Sequence, residues 1–101
     1  IILKIAHKFI NDEELERLQK IDINDYIKKL TVKWGAKEAI FKIKNEKGIS
    51  FKNHIKVRSF NLKAKVSTAE LHFDNVIKDF KIYFEEIEGF TLVYAFQEIK
   101  D

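Results

Sequence analysis

The sequence predicts an α+β fold built as a two-layer sandwich, in which an antiparallel sheet carries two helices on one face. Three observations indicate it. Two segments combine helical periodicity with helix caps, and the segments around them alternate apolar and polar residues as strands do. The chain has no Pro and only three Gly, so few residues interrupt these elements. The predicted element order is β-α-β-β-β-α-β, a ferredoxin-like variant.

The first ten residues predict a strand, and a helix follows it. Apolar and polar residues alternate over residues 1–10, which is the periodicity of a strand. Asn11 or Asp12 then offers a side-chain oxygen as the N-cap of a helix, and Glu residues follow where the helix dipole favours negative charge. Residues 22–25, Asp-Ile-Asn-Asp, predict a break that divides this helical region.

The middle of the chain, residues 31–67, predicts several strands. Apolar residues alternate along most of it, as in strands with one buried face. The parity of the apolar positions changes between Trp34 and Phe41, which predicts a bulge or short turn over residues 35–38. Gly48 is expected to supply the positive φ of a hairpin turn. Trp34 is expected to lie in the core, as large aromatic side chains usually do.

Residues 74–88 carry two periodicities at once. Their apolar residues fit one face of a helix, yet Phe80, Ile82 and Phe84 also alternate as in a strand. Potential caps at both ends, and a length of 15 residues, favour a helix. If the segment is instead a strand, the alternative is a cystatin-like arrangement, with a single helix wrapped by an antiparallel sheet. Residues 90–99 predict the last strand in both cases.

A chain of 101 residues has room for one hydrophobic core, so we expect a single α+β domain over residues 1–101. The absence of Met and the start at Ile1 indicate a trimmed end: either a fragment of a longer chain or a processed mature protein. No apolar run reaches the roughly 20 residues that span a bilayer, so no membrane association is predicted. The absence of Cys is compatible with a reducing compartment, and we expect a cytoplasmic location.

Positive charge is concentrated in the middle of the chain. Residues 28–65 contain eleven Lys and one Arg against two Glu, a net charge of +10, whereas residues 66–101 have a net charge of −5. On the predicted strands these cations share one parity, so we expect them on one basic face of the sheet. Phe60 shares the parity of Arg58 and would offer a ring on which a base stacks. The predicted nucleic-acid-binding residues are Lys42, Lys44, Lys52, Lys56, Arg58, Phe60, Lys63 and Lys65.

Nucleic acid or another polyanion is therefore the first partner predicted, and two alternatives stay open. Antiparallel sheets often carry Lys on a solvated face that binds nothing. A protein-interaction, inhibitory or immunity module would use the same basic face against an acidic protein. The opposed charges of the two halves also permit a weak homodimer, which salt would screen, although a monomer is the expected state.

The sequence predicts no enzyme and no cofactor. His7, His54 and His72 lie on separate predicted elements without the spacing of metal ligands, so no metal site is expected. The Ser and Thr hydroxyls lack the context of an activated nucleophile, and the solitary glycines form no phosphate-binding loop. We therefore expect a non-catalytic binding domain without catalytic residues.

Overall fold

Three helices and a four-stranded antiparallel sheet make up the part of the chain that the computed structural model describes, residues 2–18 and 22–98. The helices are α1 (Ile2–Phe9), α2 (Asp12–Leu18) and α3 (Ile23–Lys44). The strands are β1 (Ile55–Val57), β2 (Val66–Phe73), β3 (Val76–Ile87) and β4 (Phe90–Gln97), with a short 3-10 helix at Leu62–Ala64 between β1 and β2.

The sheet is a meander with the strand order β1-β2-β3-β4, and each neighbouring pair is antiparallel. Tight turns connect its last three strands. Asp74 and Asn75 have φ of 55° and 60° in the first turn, and Glu88 and Gly89 have φ of 48° and 81° in the second. Positive φ at both central residues matches the twist of the flanking strands, so these turns favour the hairpin pairing.

The main core lies between α3 and the inner face of the sheet. Phe80, Ile82 and Phe84 of β3 are at most 5% exposed and pack in one cluster with Ala36 and Ile40 of α3. Burying one large apolar side chain contributes about 1.5–3 kcal/mol to stability. This cluster, the larger of the two, therefore supplies most of the apolar stabilisation between α3 and the sheet.

A smaller core holds α1 and α2 against the other side of α3. Phe9 and Ile10 are each 1% exposed and cluster with Leu30 of α3. The ring of Trp34 lies 5.2 Å from that of Phe9 and 5.4 Å from that of Phe51. Phe51 packs against both clusters and the half-buried Trp34 contacts it, so α3 is packed on two sides.

The predicted fold class is confirmed, because helices pack on an antiparallel sheet as a two-layer α+β sandwich. The predicted element order is wrong at three places. Residues 2–9 are a helix where a strand was predicted, and residues 31–44 continue helix α3 where strands and a bulge at 35–38 were predicted. Residues 76–87 are a strand where a helix was favoured. The strand reading of this segment, part of the cystatin-like alternative, is the correct one.

Each error has a physical reason. The inward side of α1 consists of the buried Ala6 and Phe9 and the half-buried Ile2 and Ile5, which are three or four residues apart as on a helix. The alternation of apolar and polar residues in the same segment concealed this spacing. Because α3 is packed on two sides, its apolar residues do not form a single stripe. In β3 the outward side chains also include an aromatic one, Tyr83. Large apolar or aromatic residues therefore lie on both faces of the strand, and their spacing in the sequence resembles that of a helix.

Several local predictions are confirmed. The Asn11 side-chain oxygen accepts a hydrogen bond from the Glu14 backbone N–H at 2.9 Å, and that of Asp22 accepts one from Asn24 at 3.0 Å. Asp22 is the N-cap of α3, which begins at Ile23, so of the predicted break over residues 22–25 only Asp22 lies outside a helix. Gly48 has a φ of +91° as predicted, although its turn follows α3 and does not close a hairpin. None of the described helices combines the length and apolar character that crossing a membrane requires.

Candidate functional site

A groove runs along α3 where the helix passes over β4, and we call it the α3–β4 groove. Its α3 wall uses positions spaced three and four residues apart, which lie on one side of a helix. Its volume is about 580 Å³. The lining residues are Thr31, Trp34, Gly35, Glu38, Ala39, Lys42, Ile43, Thr91, Leu92, Val93, Tyr94 and Ala95.

Gly35 sets how closely α3 approaches β4. A Cβ atom at this position would lie 2.9 Å from Cγ2 and 3.0 Å from Cβ of Val93. Carbon atoms in van der Waals contact are about 3.5–4.0 Å apart, so a larger residue would force the helix or the strand to move. The glycine therefore fixes the position of the α3 residues that follow it in the groove.

Glu38 and Lys42 bring one carboxylate and one ammonium group to the α3–β4 groove. They are four residues apart on α3, so they lie on the same side, one helical turn from each other. Glu38 is half-buried and Lys42 is exposed. Among the ion pairs of the described residues, none involves the Glu38 carboxylate. A carboxylate in this setting is available to accept a proton, and the ammonium group can hold an anion beside it.

A second cavity of about 330 Å³ adjoins this groove at Thr91, which lines both. We call it the lysine pocket. Its lining residues are Asp25, Lys28, Val32, Leu62, Lys63, Lys65, Phe84, Glu85, Glu86 and Thr91. It therefore combines three ammonium groups with apolar side chains from both layers.

Two of the three lysines in this pocket have acidic partners. Lys28 lies 3.6 Å from Glu86, and Lys65 lies 3.5 Å from Glu85. The side chains of both pairs are about half exposed or more. Exposed pairs of this kind contribute roughly 0–1 kcal/mol, so an incoming anion can compete for these lysines.

The structure brings together three of the eight predicted nucleic-acid-binding residues. Lys42 lines the α3–β4 groove, and Lys63 and Lys65 line the lysine pocket. Lys44 lies in the last turn of α3, and Lys52 lies in the turn before β1.

The other three predicted residues lie elsewhere. Lys56 is on β1, and Arg58, just after it, forms an ion pair with Glu70 at 3.1 Å. Phe60 is 9% exposed and packs on Phe84 at 4.9 Å, so it presents no free ring for stacking. The predicted basic face of the sheet does not form. Residues two apart lie on the same side only in a strand, and part of this segment is a helix.

Sequence reasoning missed a buried charge cluster that joins α2 to α3. Glu14, Lys33 and Lys37 are at most 4% exposed. The Lys33 Nζ lies 2.9 Å from Glu14 Oε2 and donates to the Val57 carbonyl at 3.1 Å. The Lys37 Nζ donates to the Phe9 carbonyl at 2.6 Å and lies 3.4 Å from Glu14 Oε1. This cluster holds the helical segment next to Glu38.

The pKa of Lys37 is lowered from 10.5 to about 8, mainly because burial desolvates the ammonium group; Glu14 opposes this shift, and the nearby charge of Lys33 contributes to it. The signal that sequence reasoning passed over is the four-residue spacing of Lys33 and Lys37. On a helix this spacing places both ammonium groups on one side, where a single carboxylate can reach them.

Within residues 2–18 and 22–98, no group of three or more His, Cys, Asp or Glu side chains is arranged to hold a metal ion. The absence of a metal site stays a prediction.

A family model described as the 4'-phosphopantetheinyl transferase superfamily matches residues 1–95, which is nearly the whole chain. The chain belongs to this superfamily. No curated protein and no solved structure matches it.

Membership of the 4'-phosphopantetheinyl transferase superfamily overturns the predicted function. The prediction of a non-catalytic domain that binds nucleic acid is wrong, and so is the prediction that the chain is no enzyme, because the superfamily is one of transferases. The alternative of an interaction, inhibitory or immunity module with an acidic partner is wrong for the same reason. A concentration of Lys attracts phosphate groups of any origin, so charge alone does not distinguish a nucleic-acid backbone from a small phosphorylated substrate.

The residues that sequence reasoning missed for a transferase are Gly35, Glu38 and Thr91. The four-residue spacing of Glu38 and Lys42 indicates that both lie on one side of a helix, which is the α3 wall of the α3–β4 groove. This signal could be used only if residues 31–44 were interpreted as a helix. Nothing in the sequence indicated that Thr91, on the last strand, lies beside both cavities.

Proposed function

We propose that this protein is a 4'-phosphopantetheinyl transferase that modifies a hydroxyl group of an acyl or peptidyl carrier protein. The family match over residues 1–95 carries this proposal. The transferred group contains a phosphate, so its donor must hold that phosphate in an activated linkage. Coenzyme A has such a linkage, a pyrophosphate, and is the donor we propose.

The reaction requires a proton acceptor and positive charge at defined places. The acceptor oxygen forms a bond to the phosphorus of the phosphopantetheinyl group, and the pyrophosphate P–O bond breaks to release the nucleotide. The proton of the hydroxyl goes to a base, and the negative charge that develops on the phosphate oxygens needs cationic groups nearby.

The α3–β4 groove supports these roles with two residues. Glu38 is half-buried and forms none of the ion pairs of the described residues, so we assign it as the base. Lys42, one turn further along α3, is assigned to the phosphates of the donor. Gly35 is a positioning residue, because it fixes the distance between this wall and β4.

The lysine pocket supports binding of the rest of the donor. Lys28, Lys63 and Lys65 offer positive charge, and Val32 and Phe84 offer apolar surface to the uncharged parts of the same molecule. Because this pocket adjoins the α3–β4 groove at one residue, an elongated donor can occupy both cavities at once. Lys63 and Lys65 thus keep a proposed role in phosphate binding, but toward a small molecule.

We also propose that residues 1–101 act as a single domain in the cytoplasm. The absence of Cys is compatible with that compartment.

A transfer assay tests this proposal. The purified protein is incubated with coenzyme A, with Mg²⁺ to neutralise the charge of its pyrophosphate, and with a panel of unmodified carrier proteins. Mass spectrometry measures the gain of one phosphopantetheinyl group. We expect Glu38→Gln to lower the rate by about 10²–10⁴-fold, as loss of a general base does. Lys42→Ala should also lower it, because loss of one stabilising charge costs roughly 10²-fold.

Glu46→Gln and Lys47→Ala are the matched controls, because both residues are exposed in the loop that follows α3. They make the same changes in charge within five residues of Lys42, and we expect them to leave the rate unchanged. If the wild-type protein modifies no carrier protein, the proposed activity is wrong. If Glu38→Gln retains the full rate, the assignment of the base is wrong.

A further inference from the structure

Two charged systems lie side by side on α3. Glu38 lines the α3–β4 groove, whereas Lys37, the residue before it, belongs to the buried cluster with Glu14. Successive residues of a helix point about 100° apart, so the two side chains leave α3 on adjacent sides. Among the described residues, the Lys37 ammonium group has two acceptors, the Phe9 carbonyl and the Glu14 carboxylate, although it carries three N–H donors. A second carboxylate within reach would therefore find a donor there.

The ring of Phe51 lies on the side of α3 that carries Glu38. Its centroid is 5.4 Å from that of Trp34 and 5.2 Å from that of Phe41. Trp34 and Phe41 are seven residues apart, which is about 10.5 Å along the helix axis, so the Phe51 ring fills the space between them. Residues four and seven apart share one side of a helix, and Glu38 follows Trp34 by four. The ring therefore covers the stretch of α3 from which Glu38 projects.

Phe51 also lies at the boundary between the buried cluster and the groove. On one side it packs against the smaller core, which includes Phe9, and the Phe9 carbonyl accepts a hydrogen bond from Lys37 at 2.6 Å. On the other side it contacts Trp34, which lines the α3–β4 groove. An apolar ring in this position offers no hydrogen bond to either charged group and occupies the space between them.

Three hydrogen bonds fix the turn that carries Phe51. The Ser50 backbone N–H donates to His54 Nδ1 at 2.8 Å, the His54 N–H donates to the Ser50 carbonyl at 2.9 Å, and the Asn53 N–H donates to the Ser50 hydroxyl at 3.1 Å. The His54 ring meets the Phe73 ring of β2 edge to face at 5.1 Å. The turn is thus anchored to the sheet, so Phe51 is held from the sheet as well as by α3.

Lys37 is the buried cation nearest to Glu38 along the chain. The titratable groups on the elements packed around Glu38 are Lys33, Lys37 and Lys42 on α3, Glu14 on α2, Lys52 and His54 in the turn before β1, and Tyr94 on β4. Lys42 is exposed, so water screens its charge. Lys33 already lies 2.9 Å from Glu14. Lys37 is therefore the group from which the Phe51 ring separates the Glu38 carboxylate.

We propose that Phe51 is a positioning residue, whose ring is an apolar partition that keeps the Glu38 carboxylate in the groove and out of the buried cluster. Without the ring, Glu38 turns toward Lys37 and forms an ion pair with it. A carboxylate beside an ammonium group holds a proton less well, so Glu38 becomes a weaker base and points away from the acceptor. The catalytic consequence rests on the proposed function, whereas the partition itself is a property of the fold.

An NMR titration of the full chain tests the partition without the activity. The carbon-13 chemical shift of the Glu38 carboxyl group is followed from acidic to neutral pH. Phe51→Ala should move the midpoint of this titration to lower pH by about one unit, because an adjacent opposite charge has an effect of about 1–3 units. Adding Lys37→Met removes the ammonium group and should return the midpoint to its wild-type position. Phe51→Leu keeps an apolar side chain and should retain the wild-type midpoint.

Phe60→Ala is the matched control, because it removes a ring that packs in the main core on Phe84. We expect it to leave the Glu38 midpoint unchanged, and circular dichroism shows that each variant is folded. In the transfer assay, Phe51→Ala should lower the rate by about 10-fold, since displacing a catalytic group by about 1 Å costs up to 10²-fold. Lys37→Met in the same chain should restore the rate.

The outcomes separate the partition from the proposed activity. An unchanged Glu38 midpoint in Phe51→Ala overturns the partition, and so does a shift that survives the addition of Lys37→Met or that Phe60→Ala reproduces. A shift that Lys37→Met reverses, in a protein that modifies no carrier protein, supports the partition and overturns the proposed function.

Discussion

Replacing Gly35 by Ala tests whether one close contact sets the separation of α3 and β4. The added methyl group would lie 2.9 Å from Cγ2, 3.0 Å from Cβ and 3.4 Å from Cγ1 of Val93. Ordinary carbon contacts are about 3.5–4.0 Å, so Val93 or α3 must move by roughly 0.5–1 Å. Val93 is branched at Cβ and has few other side-chain conformations, which makes a shift of the helix the main response.

Two opposing effects determine the size of the change. Ala is more favourable than Gly inside a helix by about 1 kcal/mol. Overpacking a close contact costs about 1–3 kcal/mol. We therefore expect Gly35→Ala to lower the free energy of unfolding by about 1 kcal/mol. In the background of Val93→Ala the Cγ1 and Cγ2 contacts are absent and only the 3.0 Å contact to Cβ remains, so the same substitution should be less unfavourable than in the wild type, by about 1 kcal/mol.

Urea unfolding of the wild type, the two single variants and the double variant measures this coupling. The double-mutant cycle is the control, because a helix-propensity effect alone is the same in both backgrounds. A Gly35→Ala protein that is more stable than the wild type, with additive effects in the double variant, would refute the close contact as the determinant of the groove width.

Three further predictions concern the buried cluster and the helix caps. The pKa of Lys37 is about 8 in the folded protein and 10.5 in the unfolded chain. Between these pH values the unfolded chain binds more protons than the folded protein, so the free energy of unfolding rises with pH, by about 3 kcal/mol in total. Urea unfolding from pH 7 to 10.5 should show this rise in the wild type relative to Lys37→Met. Glu14→Gln leaves two buried ammonium groups without their carboxylate and should cost about 3–5 kcal/mol, measured by thermal unfolding. Asn11→Ala and Asp22→Ala remove helix caps and should each cost about 1 kcal/mol in the same measurement, whereas no loss would contradict the capping role.

The candidate site was predictable only in part. The concentration of Lys between residues 28 and 65 predicted a surface for nucleic acid or another polyanion, and of the lysines named for it Lys42, Lys63 and Lys65 line the two cavities. Their partner was not predictable, because the type of anion depends on cavity shape and on the groups beside the lysines. Glu38 was overlooked, since a carboxylate has no recognisable role until the fold places it in a groove.

What the sequence determined by itself is the set of features that depend on neighbouring residues. Asn11 and Asp22 cap helices through hydrogen bonds that span two or three residues, Gly48 adopts a positive φ, and the alternation after Gly89 forms a strand. The α+β class follows from such local signals, together with enough apolar residues to build a core.

Tertiary structure alone decided the features that depend on contacts between distant segments. α3 is a helix packed on two sides, so its pattern of apolar residues did not reveal it, and Lys33 and Lys37 are buried because Glu14 of α2 meets them there. Residues 76–87 became a strand because β2 and β4 pair with them on both sides and because alternate side chains of the segment are buried in the main core, contacts that involve distant parts of the chain. The groove exists for the same reason, since Gly35 and Val93 approach each other only once the sheet has formed under the helix.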